Sequence, residues 1–427
     1  MITTPKISIS NKDDFRELVN TYRNGFHYKT IKAVQGNTIL NRAVLELVGA
    51  DLPGILTELI GRNWQTAVEI SFRVTLMLGV ALFLPLALIP IWNNRAQKKY
   101  ELPNEFKNLF KIQFEDLLPE KDPESLKQKL IEYETTEVVN NFLRETSNDS
   151  ERSKINSLKE KLREAKCHVV KMDLASAGFL TYLVPWSQNF FAKYILGIES
   201  YTGEIDLLSE SQQEESAAFH KRFWPFKFLT GLGMCFFGTK WYAGKIKDAA
   251  TLPNEETSKS KMLSEMKKHI SLFDIKDKIF SQRLNIFGTF FWGGMPAMML
   301  SPRSINEFIE RGLRTLVWFP TAFWGDAFLH SKFADKYDAK YDTEIVEPNA
   351  KSEYGIKEVK SLIKLDKAMD EALSKNDEPE IKKTFDSIKG QIKLYYLSMG
   401  LDALFMGIGL SLANIIGTKI RISKGVY

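Results

Sequence analysis

Between Arg73 and Arg95 lie 21 consecutive uncharged residues, Val74–Asn94, reading VTLMLGVALFLPLALIPIWNN. A helix of about 20 apolar residues covers the hydrocarbon thickness of a bilayer, so this run predicts a membrane-crossing helix. Glu69 and Arg73 precede it one helical turn apart, placed to pair with each other at the membrane interface. Pro85 and Pro90 lie in its second half and predict a kink or an early end, which a membrane helix tolerates when neighbours satisfy the freed carbonyls.

Five further segments repeat the signal. Leu174–Ile198 contains 19 uncharged residues (174–192) with Pro185 central and Lys193 near the far end. Phe223–Tyr242 has only 12 (228–239), bracketed by Lys227 and Lys240, whose ammonium groups can snorkel to opposite surfaces. Leu284–Pro302 has 19 between Arg283 and Arg303. Thr315–His330 is aromatic and interrupted by Asp326, and Leu394–Thr418 carries a single charge, Asp402. The connections between them read as amphipathic helices. Leu126, Leu130, Ile131, Val138 and Phe142 recur at helical spacing in Glu124–Glu145, as do Ile155, Leu158, Leu162 and Ala165 in Glu151–Cys167. The polar TSNDS at 146–150 between them predicts the turn of a helical hairpin. Val359, Leu362, Leu365, Met369 and Leu373 predict one apolar stripe over Glu353–Lys375, and Ser10 or Asn11 caps an N-terminal helix. No stretch alternates as a half-buried strand would.

The expected fold is therefore all-α: a multi-pass helical membrane protein with about six transmembrane segments and long amphipathic helical connections. The expected organisation is an N-terminal helical region (1–69), a first span (70–94), a water-facing hairpin (95–173), a membrane core of four segments (174–330), a charged connection (331–393), and a last span with a basic tail (394–427). Bulk composition conceals this, because 26% charged and 44% hydrophobic residues with a net charge of +5 are ordinary for a globular chain. Those averages exclude disordered, collagen-like and disulfide-scaffold proteins. The polar N-terminus has no apolar stretch of the kind a cleavable signal peptide needs.

Basic residues predict orientation. Connections 93–173, 244–284 and 331–393 carry 16, 9 and 13 Lys+Arg, whereas 199–222 and 303–314 carry 2 and 3. With six spans the rich connections share one face, the cytoplasmic one, and both chain ends fall outside. That arrangement requires a tail of about 70 residues with 8 Lys+Arg to be translocated.

Ionisable groups inside a bilayer are costly, and they are the first candidates for function. Here they are Lys193, Asp326, His330 and Asp402. Asp326 and His330 share a helix face at i,i+4. The first reading is structural, in which Asp326 and Asp402 pair with Lys193, Lys227 or Lys240. A solute or proton pathway is the functional alternative. Gly409, Ala413 and Gly417 form a small-xxx-small stripe that predicts close helix packing, within the chain or between copies. The heptapeptide 287–293 echoes 319–325 at five of seven positions, as an aromatic-rich composition can produce by itself. Two cysteines and five scattered histidines make no metal site, and no cofactor or nucleic-acid partner is expected. The partners expected are the lipid bilayer and a second copy or another membrane protein. Three classes fit: a transporter or pore component for a small solute or ion, a membrane-anchored scaffold acting through its charged connections, and an enzyme relying on Asp326 and His330, the least supported.

Overall fold

A computed structural model of the chain describes residues 12–36, 38–80, 84–102, 112–133, 151–253, 260–274, 283–321, 325–347 and 356–426. The chain is all-helical. Among the described residues the only β pairing is an isolated antiparallel bridge between Val346 and Val359. One helical run among them, Glu378–Ser423, is both long and apolar enough to cross a membrane, with a mean hydropathy of 1.7 over its apolar window. Only 28% of that window is buried against the rest of the chain, unlike the central helix of a soluble core.

The chain divides into two compact units, one built from 1–54 and 317–411 and the other from 55–316 and 412–427. In the first, helices Lys12–Asn24 and Phe26–Gln35 pack on helices Leu362–Lys375 and Glu378–Asp402. Val19, Ile31, Leu365, Met369, Phe385 and Ile388 form their shared core. The stripe expected from Val359 begins instead at Leu362, because the Ser361 side chain caps the helix there and Val359 is held extended in the bridge. Asn376 ends that helix in the left-handed region (φ 59°), and Asp377 caps the next by accepting from the Glu380 amide. The carboxylate of Asp366 ties the two layers together, pairing with Arg23 at 2.5 Å and accepting from Tyr28 and Lys32. The expected caps Ser10 and Asn11 lie outside the described residues, as do 134–150 with the TSNDS turn.

The second unit is dominated by two very long helices, Glu151–Tyr194 (44 residues) and Glu210–Thr251 (42 residues). At 1.5 Å per residue they are roughly 66 and 63 Å long, about twice a bilayer core. The boundary expected at 173/174 therefore falls inside one continuous helix. Pro185 and Pro225 sit within the two helices without ending them. Val74–Asn94 is divided between helices Trp64–Leu78 and Leu84–Lys99, the second holding Pro90 in its interior, and 81–83 lie outside the described residues. Asn63 caps the first of these, accepting from the Thr66 amide at 2.8 Å. Leu284–Pro302 becomes helix Arg283–Thr289, a π-helical turn Phe290–Gly294 and helix Met295–Leu300.

Glycine lets these helices meet backbone to backbone. A Cβ on Gly293 would strike the Gly178 carbonyl, and one on Gly238 would strike the Trp292 ring. Away from these contacts, 112–133, 151–166, 247–253 and 260–274 gather around a buried ion pair between Lys166 and Asp274. The Phe114 amide donates to Asp274 at 2.8 Å, and Lys267 binds Glu120 at 3.0 Å. This cluster draws on both basic connections of the second unit, 93–173 and 244–284.

Candidate functional site: a buried arginine–glutamate network

The polar residues singled out from the sequence do not form one site. Lys193 is exposed and pairs with Glu199 at 3.0 Å, so it neutralises no buried carboxylate. The Asp326 side chain lies outside the described residues, although its backbone opens helix Asp326–Tyr341, which also carries His330. His330 Nδ1 lies 3.0 Å from Ser398 Oγ, one turn before Asp402 on helix Glu378–Asp402. Asp402 itself packs over Gly49, where an added methyl would meet its Cβ at 3.3 Å. Gly409 and Ala413 are exposed, and within the chain the close approach is made by Gly407 instead. A Cβ on Gly407 would come within 2.7 Å of the Ala50 carbonyl oxygen and of the Pro53 side chain. In the 319–325 echo, 322–324 lie outside the described residues. Among the described residues no group of three His, Cys, Asp or Glu is placed to hold a metal.

The second unit contains a site that the sequence reading missed. Four glutamates (Glu58, Glu69, Glu307, Glu310) interlock with four arginines (Arg62, Arg303, Arg311, Arg314). Helix Ile305–Pro320 and the residues before it supply most of them, at i,i+4 steps 303–307–311 and 310–314. Glu307 accepts from the Arg303 amide (2.6 Å), Nε (3.2 Å) and Nη2 (3.1 Å), and from Arg311 Nη2. Glu69 takes Arg303 Nη2 at 2.5 Å, Gln188 Nε2 at 2.8 Å and Thr202 Oγ1 at 2.6 Å. The pairing expected between Glu69 and Arg73 is thus replaced by one across 234 residues of sequence, because Arg303 brings a buried guanidinium to the carboxylate. Arg62 Nη1 donates to Glu58, Tyr201 and Glu310, each at 3.1 Å, and the Tyr201 hydroxyl donates to Glu310 at 2.8 Å. Thr418 and Arg421, on helix Leu410–Ser423, close the cluster through Glu310 and Asn306.

The four glutamates and four arginines balance, which offsets the cost of burying them, and Arg73 and Arg421 add positive charge at the margin. Burial alone would raise the Glu307 carboxyl, but the Arg303 and Arg311 guanidiniums outweigh it and hold it down at about 2. Burial lifts the Tyr201 hydroxyl well above its ordinary value, and the neighbouring Glu310 carboxylate adds to the shift. Beside the network, Glu204 is fully buried, and its carboxylate oxygens lack a well-formed hydrogen bond. Burial pushes it up to about 7, with Asn306 and Ser304 opposing the shift and Glu307 and Glu310 adding to it. The crevice among Thr66, Glu69, Gln188, Thr202 and Arg311 has room for about one water molecule, too little for an organic ligand. Chemically the cluster is an ionic lock with one titratable carboxyl at its margin and Arg303 Nη1 left without a hydrogen-bond acceptor. It contains no poised nucleophile.

The sequence signal for this lock was the run of opposite charges at i,i+4 spacing next to apolar segments: Glu58/Arg62, Arg303/Glu307/Arg311 and Glu310/Arg314. Spacing alone does not distinguish an exposed ladder from a buried one. Compared with protein families, with curated proteins and with solved structures, the chain matches none.

Proposed function

We propose that the chain is a multi-pass integral membrane protein of the transporter or pore class, acting on a small solute or ion. One observation carries the reading: helices of the chain turn large apolar side chains outward while ionisable groups are buried beside the apolar core. Phe226, Leu229, Phe236, Phe237 and Trp241 are exposed along helix Glu210–Thr251, as are Leu412, Ile416 and Ile420 on helix Leu410–Ser423. Glu58, Glu69, Asp173, Arg303 and Glu307 are among the buried residues. Large apolar side chains gain nothing from facing water, whereas facing acyl chains costs them nothing. Ionisable groups turned inward are the arrangement of helices that enclose a polar path. The bilayer is then the principal partner, and a second copy or another membrane protein is a further one.

The test has two stages. Alkaline carbonate should leave the protein in the membrane pellet, and release into the supernatant would end the membrane reading. Purified protein in liposomes should then pass protons, alkali cations, chloride or small neutral solutes faster than protein-free vesicles. Retention in the membrane with no flux of any of these would refute transport and favour the scaffold reading. That second reading has its own support in the packed helical layer of 12–35 with 362–395, whose outer face is dense in Lys, Glu and Asp.

A further inference from the structure

We infer that residues 38–61 form a seventh membrane crossing, which places the N-terminal helices on the same side as the basic connections; the inference rests on the membrane reading above. The first observation is a shared core. Helices Lys12–Asn24 and Phe26–Gln35 are buried against Leu362–Lys375 and Glu378–Asp402, so 12–35 and the 331–393 connection occupy one side of any bilayer. The second is the ionic lock. Glu58 and Arg62 are bound to Tyr201, Glu310 and Arg314, which belong to the two connections poor in Lys and Arg, 199–222 and 303–314. The positive-inside count sets these on the face opposite 331–393. The chain must cross between residue 36 and residue 58.

The segment available is long enough. Helix Thr38–Val44, the π-helical turn Leu45–Asp51 and helix Leu52–Gly61 follow one another without a break, giving about 36 Å at 1.5 Å per residue against a core of about 30 Å. Its neighbour is the one helical run among the described residues that is long and apolar enough to cross a membrane. Gly49 lies against Asp402, and Gly54 against Gly407 and Ser411 in the first unit, while Gly61 lies against Ile415 in the second. Within the first unit both numbers rise together, from Gly49 against Asp402 to Gly54 against Gly407 and Ser411, so 49–54 runs parallel to 402–411. Val48, Leu52, Leu56 and Ile60 step by four along the outside, with Ile60 85% exposed. Acyl chains are the occupant this stripe fits, because it continues the exposed apolar face of a neighbouring helix that itself passes the length and apolarity test. Three charges that hide this segment from a hydropathy reading are at least half-buried: Glu58 is fully buried and paired, and Glu46 and Asp51 are half-buried with partners.

Seven crossings also remove the awkward consequence of six. The 8 Lys+Arg of the first 70 residues are no longer all translocated, since those before residue 38 stay with the basic connections. The experiment is cysteine accessibility in intact cells, with Cys167 and Cys235 replaced by serine and a membrane-impermeant maleimide as the probe. Thr30→Cys reports on the N-terminal helices, Asn156→Cys on the basic side and Ser211→Cys on the opposite side, all three positions being exposed. Thr30→Cys should behave as Asn156→Cys does, protected or labelled together, and opposite to Ser211→Cys. Thr30→Cys labelling with Ser211→Cys in a protein that resists carbonate extraction would overturn the seventh crossing and leave the membrane reading standing. Release by carbonate would overturn both.

Discussion

Replacing Glu307 by alanine removes the carboxylate on which two guanidiniums converge. Four arginines then face three glutamates in a site where Arg303 and Glu69 are almost completely enclosed. Arg303 keeps Glu69 as its one carboxylate, and Arg311 keeps the neutral partners Ser301, Asn189 and Gln188. Breaking a buried pair by deleting one partner costs about 3–5 kcal/mol, because the abandoned charge remains desolvated. For folding units of this size, about 2–4 °C of Tm per kcal/mol converts this to a fall of roughly 6–20 °C. The assay is thermal unfolding in detergent at neutral pH, with Lys193→Ala as the control. Lys193 pairs with Glu199 in the open, where solvent screens the interaction, so its variant should melt with the parent. The pH dependence follows from the sign of the shift. Glu307 titrates near 2 in the folded chain and near 4.3 when unfolded, so its contribution is complete above about 4.3 and is lost as pH falls toward 2. Equal melting of Glu307→Ala and Lys193→Ala at pH 7 would refute the lock.

Glu204→Gln should act in the opposite sense. Its folded value is raised to about 7, so the parent loses stability as pH rises from about 4.3 through 7, by up to about 4 kcal/mol; the variant should melt higher than the parent at pH 8 and alike at pH 4, and identical curves at both would show that Glu204 is not desolvated. Gly407→Leu should lower Tm, because its side chain would collide with Ala50 and Pro53, whereas Ala413→Leu on the exposed side should leave it unchanged. A fall for Ala413→Leu together with loss of a dimer on size-exclusion chromatography would show instead that the 409–413–417 stripe joins two copies.

Helicity and the long apolar runs were determined by the sequence alone, because 3.6-residue periodicity and the absence of charge are local properties. The apolar segment ending at Thr418 and the core stripe from Leu362 to Leu373 were legible for that reason. Only the tertiary structure decided which charges matter. Lys193, conspicuous inside an apolar run, turns out to be an exposed partner of Glu199, while Arg303, which marks only the end of an apolar run in the sequence, and Glu307 in the short polar connection after it are buried in the lock. Asp402 and Gly407 owe their neighbours to residues 49–54, some 350 positions earlier in the chain. The segment 38–61 escaped the hydropathy reading because Arg42, Glu46, Asp51 and Glu58 interrupt it. Hydropathy sums a residue's charge without regard to direction. Whether a carboxylate is costly depends on whether a guanidinium meets it, and that is settled by which helices pack together.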